Sequence, residues 1–280
     1  MTHRWQFLLA EPPLPPEQAL CLALLPALLL WIITGNGIDT VSTLALITLN
    51  GLMIQSALRF ICKRPIWKLP HSGMNLYCIW LILLILPQDF PIQDILAITS
   101  LCVLLCGYSE LQRYRPPAVF HPAALICALW AAIFPERFHS TMAVSAHNLP
   151  FCCAIVAGGL FLCWKRIIPW RPCIVSAASL FVLTLCVPLL PVTHPATMLS
   201  VQPLTWLFIF FLLPDPRTRP HSWHHQCGMG LLGILLIFAL SSAAVSSLSP
   251  VFVILLVNSI TPLLNRLHGG LRVQPPTHRV

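Results

Sequence analysis

Charged side chains are scarce in this chain: Asp, Glu, Lys and Arg together make up 9% of its 280 residues. A soluble domain carries about 25% charged residues, because polar groups must cover its surface. Hydrophobic residues make up 57% of the chain, and the mean hydropathy is +0.82. Ordinary soluble, disordered and collagen-like chains are therefore excluded, and the sequence predicts a protein of the lipid bilayer.

Ten apolar stretches approach the length of a membrane-spanning helix, which needs about 20 residues to cross a hydrocarbon core of roughly 30 Å. In lipid, backbone groups have no water to bond, so continuous apolar runs must be helical. We predict an all-α polytopic membrane protein, with an N-terminal segment at 1–17, a transmembrane domain at 18–264 and a tail at 265–280. Its helices are expected near residues 18–34, 40–58, 74–87, 92–107, 118–135, 149–164, 172–190, 196–213, 228–246 and 250–264.

The Lys and Arg residues are distributed unequally between the two sides of the membrane. If ten passes begin with the N-terminus inside, 15 of the 16 Lys and Arg residues fall on the cytoplasmic side, and only Arg137 falls outside. Cytoplasmic loops of membrane proteins carry such an excess. Both termini are therefore predicted to be cytoplasmic. The net charge of +8 is interpreted as an orientation signal, and no basic stripe interleaved with aromatic residues indicates nucleic acid.

Ten passes divide into two sets of five, and an odd number in each set predicts two repeats of inverted topology. The fifth predicted helix of each set contains a proline, Pro122 in the first and Pro262 in the second. A proline inside a span leaves a carbonyl group that a neighbouring helix or a ligand must satisfy. We therefore expect any ligand site to lie between the two halves.

Metal sites have little support in the sequence. The chain has 12 cysteines but no C-x-x-C pair, so the usual spacing of zinc or iron–sulfur ligands is absent and packing is expected of the cysteines. One segment between predicted helices crowds His221, His224, His225 and Cys227. A metal site competes there with a solvated interfacial loop. Because no second ligand pair with matching spacing occurs elsewhere, we expect the loop and no metal.

Five motifs follow one another along the chain in a defined order. They are 119-VFHPAAL, 158-GGLFLCWKRIIPWR, 210-FFLLPDPRTRP, 228-GMGLLGILLIFAL and 254-ILLVNSITPLLNRL. In this order they resemble the NqrB/RnfD family, whose members are membrane subunits of the sodium-translocating NADH:quinone reductase and of the Rnf electron-transport complex. The resemblance extends from about residue 18 to residue 268, and it marks the chain as a divergent member.

The resemblance implies a membrane subunit of a flavin-dependent electron-transport complex in a bacterial inner membrane, coupled to ion translocation. Its implied partners are the other subunits and a quinone, and the chain itself offers no nicotinamide fold and no iron–sulfur spacing. The motifs also carry over the cofactor-binding candidates, with His121 at the position of a family asparagine. A turn capped by a carboxylate explains Asp215 equally well. The candidates are His121, Pro122, Asp215, Pro216, Thr218 and Asn258.

One loop departs from the family pattern. Family members carry a Ser-[Gly/Thr]-Ala-Thr motif whose threonine takes FMN covalently, whereas this loop has 139-HSTMAVSAHNLP, and Thr141 stands in a different context. We therefore expect FMN or riboflavin to bind non-covalently, or no flavin to bind. Two other classes stay open: a channel or transporter for a small neutral solute on the same inverted-repeat architecture, and a cofactor-free scaffold subunit.

Overall fold

The computed structural model describes nine segments of the chain. Within them all regular secondary structure is helical, which confirms the predicted all-α polytopic class. The described segments are residues 16–34, 38–61, 72–86, 90–111, 119–135, 149–186, 202–215, 218–242 and 249–267.

Ten helices occur in these segments, and we number them in chain order. Two stretches, Thr40–Ile61 and Trp223–Leu240, are long and apolar enough to cross a membrane, while the others are apolar but shorter. The helices are α1 (Pro16–Thr34), α2 (Ile38–Ile61), α3 (Ser72–Ile85), α4 (Ile92–Leu111), α5 (Pro122–Ile133), α6 (Leu149–Trp164), α7 (Trp170–Cys186), α8 (Pro203–Leu207), α9 (Trp223–Ser242) and α10 (Ser249–Leu267).

The helices pack through apolar and small side chains. Helix α1 lies against α3 and α6, α2 lies against α4, and α9 lies against α7 and α10, while α5 contacts α3, α4 and α10. Helices α1 and α6 approach each other closely, because a Cβ atom added at Gly158 would collide with the backbone carbonyl of Ala23. Glycine is therefore required at this crossing.

Large apolar side chains also face outward. Phe60 on α2 is 75% exposed, and Phe181 on α7 is 65% exposed. In water, apolar surface of this extent would drive association with another apolar surface. Beside lipid tails it carries no such penalty, so the outward faces of α2 and α7 fit a membrane protein.

Polar contacts join three helix ends at one end of the bundle. The guanidinium of Arg171, in the first turn of α7, lies 4.8 Å from the ring centroid of Trp223 at the start of α9. The backbone N–H of His221 donates to the side-chain oxygen of Asn265, in the last turn of α10, at 3.0 Å. Helices α7 and α9 thus begin where α10 ends, as alternating passes require. The inverted repeat itself stays a prediction.

The position of Pro122 differs from the prediction. It does not interrupt a span of 118–135, because α5 begins at this residue and ends at Ile133. Proline suits the first turn of a helix, since its missing N–H would have had no partner there. The preceding His121 is extended, with φ −68° and ψ 121°, as a residue before proline prefers. Pro262, in contrast, does lie inside α10.

The histidine-rich segment also differs from the prediction. We expected a loop that ends before residue 228, but α9 begins at Trp223, so His224, His225 and Cys227 lie in its first turns. The side-chain amide of Gln226 donates to the carbonyl of Pro220 at 2.6 Å, which ties the first turn of α9 to the preceding chain. A polar sequence is therefore helical here because its first turn is anchored.

A π-helical turn, Phe208–Leu212, continues directly from α8. The backbone N–H of Leu213 donates to the carbonyl of Phe208 at 2.9 Å, which is the five-residue spacing of a π-helix. All five residues of the turn are buried. Such turns interrupt the regular carbonyl pattern of a helix and frequently occur at functional sites.

Candidate functional site

A buried ionisable pair joins two segments that are far apart in the sequence. The Nε2 atom of His121 lies 3.4 Å from the Oδ2 atom of Asp215, and the two side chains are 0% and 1% exposed. His121 immediately precedes α5, and Asp215 follows the π-helical turn. Burying an ionisable side chain without a partner costs free energy. Each side chain of this pair therefore makes it possible to bury the other.

Tyr77 on α3 connects this pair to the π-helical turn. Its ring lies edge-on to the imidazole of His121, with ring centroids 6.0 Å apart and planes at 68°. Its hydroxyl group donates a hydrogen bond of 3.1 Å to the backbone carbonyl of Phe211, and this bond is buried. The residues Tyr77, His121, Phe211 and Asp215 therefore form one unit, which we call the polar centre.

The chain after the π-helical turn is held close to the polar centre. The carbonyl of Asp215 accepts hydrogen bonds from the backbone N–H groups of Thr218 and Arg219, both at 3.1 Å. Burial lowers the pKa of the Arg219 guanidinium, while the nearby Asp215 carboxylate acts in the opposite direction. Arg219 thus adds positive charge beside Asp215 in a region of limited solvation.

Further polar groups in this region have no hydrogen-bond partner among the described residues. They include both atoms of the Asn258 amide and the hydroxyl of Thr218. Asn258 is fully buried on α10, which packs against α5 and against the π-helical turn. Pro262, one turn later, cannot donate to the Asn258 backbone carbonyl. Orphaned polar atoms at this depth are the kind that a ligand satisfies.

The structure brings together part of the predicted set of residues. His121, Asp215 and Thr218 meet at the polar centre, with Pro122 next in the chain and Asn258 buried on a neighbouring helix. Pro216 and Thr141 lie outside the described residues. Among the described residues, the group of three close potential metal ligands consists of cysteines, and the histidines at 221–225 do not form one.

A cleft between the chain after the π-helical turn and the starts of α7 and α9 is lined by Leu213, Arg219 and Gln226, among others, and is too narrow to admit a water molecule. Small-molecule sites typically enclose about 300–1,000 Å³. A three-ring flavin would therefore need the side chains of Arg219 or Gln226 to move before it could enter this cleft.

Two features of the site were missed in the sequence. Tyr77 is one of only three tyrosines in the chain, and it lies in an apolar helix. A tyrosine hydroxyl inside a membrane-spanning helix needs a hydrogen-bond partner. The position of Tyr77 could therefore have indicated a polar contact inside the protein. The π-helical turn has no such signal, because the sequence FIFFL is typical of an ordinary apolar helix.

Removal of the Tyr77 hydroxyl tests whether the polar centre acts as a unit. Tyr77→Phe is expected to cost about 1 kcal/mol of stability, since it leaves the buried carbonyl of Phe211 without its donor while the ring is retained. Thermal unfolding of the detergent-solubilised protein measures this change. The exposed Phe60→Ala variant is a control for loss of ring surface, and an equal effect in both variants would contradict the prediction.

The helical fold defines a polytopic membrane protein, and the polar centre is a buried polar site between the helices that the structure describes. The model of the NQR2, RnfD, RnfE family matches residues 138–270 of the chain. Over these residues the chain is similar to this family. The match includes Asp215, Thr218 and Asn258, while Tyr77 and His121 lie before it. No curated protein matches the chain.

Proposed function

We propose that the protein is a membrane subunit of an electron-transport complex, that it holds a flavin, FMN or riboflavin, without a covalent bond, and that it passes electrons through this complex. The observation that supports the proposal is the buried polar centre, where His121 and Asp215 meet, together with the orphaned amide of Asn258 on a helix that packs against α5 and the π-helical turn. An isoalloxazine ring needs an apolar slot with a few placed donors and acceptors. The side chains around the polar centre have this composition.

The roles of the individual residues follow from their chemistry. Asn258 can both donate to and accept from the polar edge of a ring, and the Thr218 hydroxyl can do the same. His121 can hold or release a proton beside Asp215, and Arg219 can stabilise negative charge nearby. A flavin, when bound, would supply the one- and two-electron chemistry.

A second candidate is a cofactor-free scaffold subunit of the same complex. The narrow cleft lined by Leu213, Arg219 and Gln226 favours it, because this cleft does not admit a water molecule and a flavin needs far more room. In this alternative the His121–Asp215 pair is structural and fixes how the start of α5 meets the chain after the π-helical turn. The two candidates make opposite predictions about a chromophore.

We further propose that the subunit lies in a bacterial inner membrane with both termini in the cytoplasm. The support is the distribution of 15 of 16 cations on one side of the predicted passes. The polar centre would then lie at the cytoplasmic ends of its helices, where electrons from soluble partner subunits arrive. A quinone as acceptor and the coupling of electron transfer to an ion are part of the same proposal.

An absorbance spectrum tests the proposal directly. The full chain is co-expressed with the products of its neighbouring genes, purified in detergent and precipitated with acid. We expect flavin absorbance in the purified protein, and after precipitation we expect the flavin in the supernatant. Flavin in the pellet would contradict the non-covalent proposal, and no flavin in the co-expressed complex would support the scaffold candidate.

A pair of asparagine variants locates the flavin. Asn258→Ala removes the orphaned amide and is expected to lower the flavin content at least 10-fold. Asn50→Ala is the matched control, because the Asn50 amide has a partner of its own and donates to Ser100 at 2.8 Å, in the contact between α2 and α4. Equal flavin content in the two variants would overturn the assignment of the flavin to the polar centre.

A further inference from the structure

Three cysteine thiols meet between α3 and α4. They belong to Cys78 on α3 and to Cys102 and Cys106 on α4, and their Sγ atoms all lie within 4.8 Å of one another. The Sγ atoms of Cys78 and Cys106 are 4.0 Å apart. None of the three residues is more than 2% exposed. We call this group the thiol cluster.

The sequence indicates two of the three members of the thiol cluster. Cys102 and Cys106 are four residues apart, which places both on one face of α4. Cys78 could not be assigned to the group, because its approach depends on how α3 packs against α4. The expectation that the cysteines act as small packing residues therefore did not take the Sγ atom of Cys78 into account.

The spacing of the thiol cluster suits a metal ion with three sulfur ligands. Metal–thiolate bonds are about 2.3 Å long, so three sulfurs in a plane around one ion are roughly 4.0 Å apart. The observed separations of 4.0–4.8 Å require a contraction of less than about 1 Å. Rotation of the cysteine side chains can provide this, and no helix has to move.

The chemistry of the three sulfur atoms indicates which metal ion the thiol cluster would bind. Thiolates are soft ligands, which favour Cu(I) and zinc over Mg²⁺ or Ca²⁺. Structural zinc takes four ligands in a tetrahedron, whereas this group supplies three. One thiolate is enough to neutralise a monovalent ion, so the other two thiols can keep their protons in the apolar interior, where isolated charges are expensive. The flanking residues Ile79 and Val103 are buried and apolar, which keeps water from the ion.

We propose that Cys78, Cys102 and Cys106 form a binding site for Cu(I) between α3 and α4. Binding of Cu(I) replaces one thiol proton, which leaves to solvent as the site forms, so the occupied site carries no net charge. Because all three residues are buried, the ion enters while the helices assemble in the membrane. The site is independent of the flavin proposal, since it shares no residue with the polar centre.

Copper content tests this proposal. The full chain is expressed with its partner subunits in medium that contains copper, and it is purified anaerobically. We expect about one copper per chain by mass spectrometry of the metal, and X-ray absorption should show three sulfur ligands at about 2.3 Å. Zinc in place of copper, or a copper content below about 0.1 per chain, would overturn the proposal.

Matched variants test whether copper binds at the thiol cluster or at another cysteine. Cys106→Ala is expected to lower the copper content at least 10-fold, and Cys127→Ala, a fully buried cysteine of α5, should leave it unchanged. If Cys106→Ala does not fold, the ligand distances in the unmodified protein still decide the question. A disulfide between Cys78 and Cys106 in the anaerobically purified protein would overturn the copper site.

Discussion

Replacement of Asp215 by alanine is expected to lower the melting temperature of the detergent-solubilised protein by roughly 5–10 °C. The substitution leaves the buried imidazole of His121 without the carboxylate that lies 3.4 Å away. Loss of one partner of such a buried pair costs about 2–3 kcal/mol, because the group that remains has no access to water. Thermal unfolding followed by intrinsic fluorescence measures the change.

Two further variants show whether the loss comes from the pair itself. Asp215→Asn keeps the shape of the side chain and an oxygen acceptor, so its effect should be less than half that of alanine. His121→Asn introduces the residue that the family resemblance implies at this position. In the variant with both Asp215→Ala and His121→Asn, the cost should be smaller than the sum of the two single effects. Strict additivity would contradict a coupled pair.

Gly158→Ala should be the most damaging glycine-to-alanine change among the described residues. The added Cβ collides with the backbone carbonyl of Ala23, which cannot rotate away as a side chain could. Overpacking by a methyl group typically costs about 1–3 kcal/mol, and we expect the upper end of this range or more. The contact between α1 and α6 would open, and the yield of monodisperse protein in size-exclusion chromatography should fall several-fold.

Gly228 provides a matched control in α9. A Cβ atom added there meets nothing within 4 Å, so Gly228→Ala should be neutral or should raise stability by about 0.5–1 kcal/mol through helix propensity. A similar loss of yield in both variants would mean that backbone flexibility, and not the close contact, explains the requirement for glycine.

The helices could be predicted where an apolar run ends at a clear boundary. Helix α6 was expected at 149–164 and extends over Leu149–Trp164, and α4 was expected to begin at 92, where Ile92 begins it. In both cases a proline and polar residues precede or follow the run. The start of helix α9 was misplaced by five residues, because its first turn is polar and is held by the contact between Gln226 and Pro220.

Single residues of the site could be predicted from the sequence, but their contacts with one another could not. Asp215 and His121 were candidates because their motifs resemble a family, but no local pattern indicates that two residues so distant in the sequence face each other. The π-helical turn and the place of Tyr77 depend on a tertiary hydrogen bond to Phe211. The thiol cluster likewise depends on helix packing, which spacing along the chain does not encode.

The short length of α5 has an electrical consequence. Its 12 residues extend about 18 Å, so both of its ends cannot reach water across a hydrocarbon layer of roughly 30 Å. At least one end of this helix therefore lies inside the layer. Moving one elementary charge across the whole layer costs about 2.3 kcal/mol per 100 mV, and part of this voltage falls between the submerged end and water. A charge held at that end would therefore experience part of the membrane voltage.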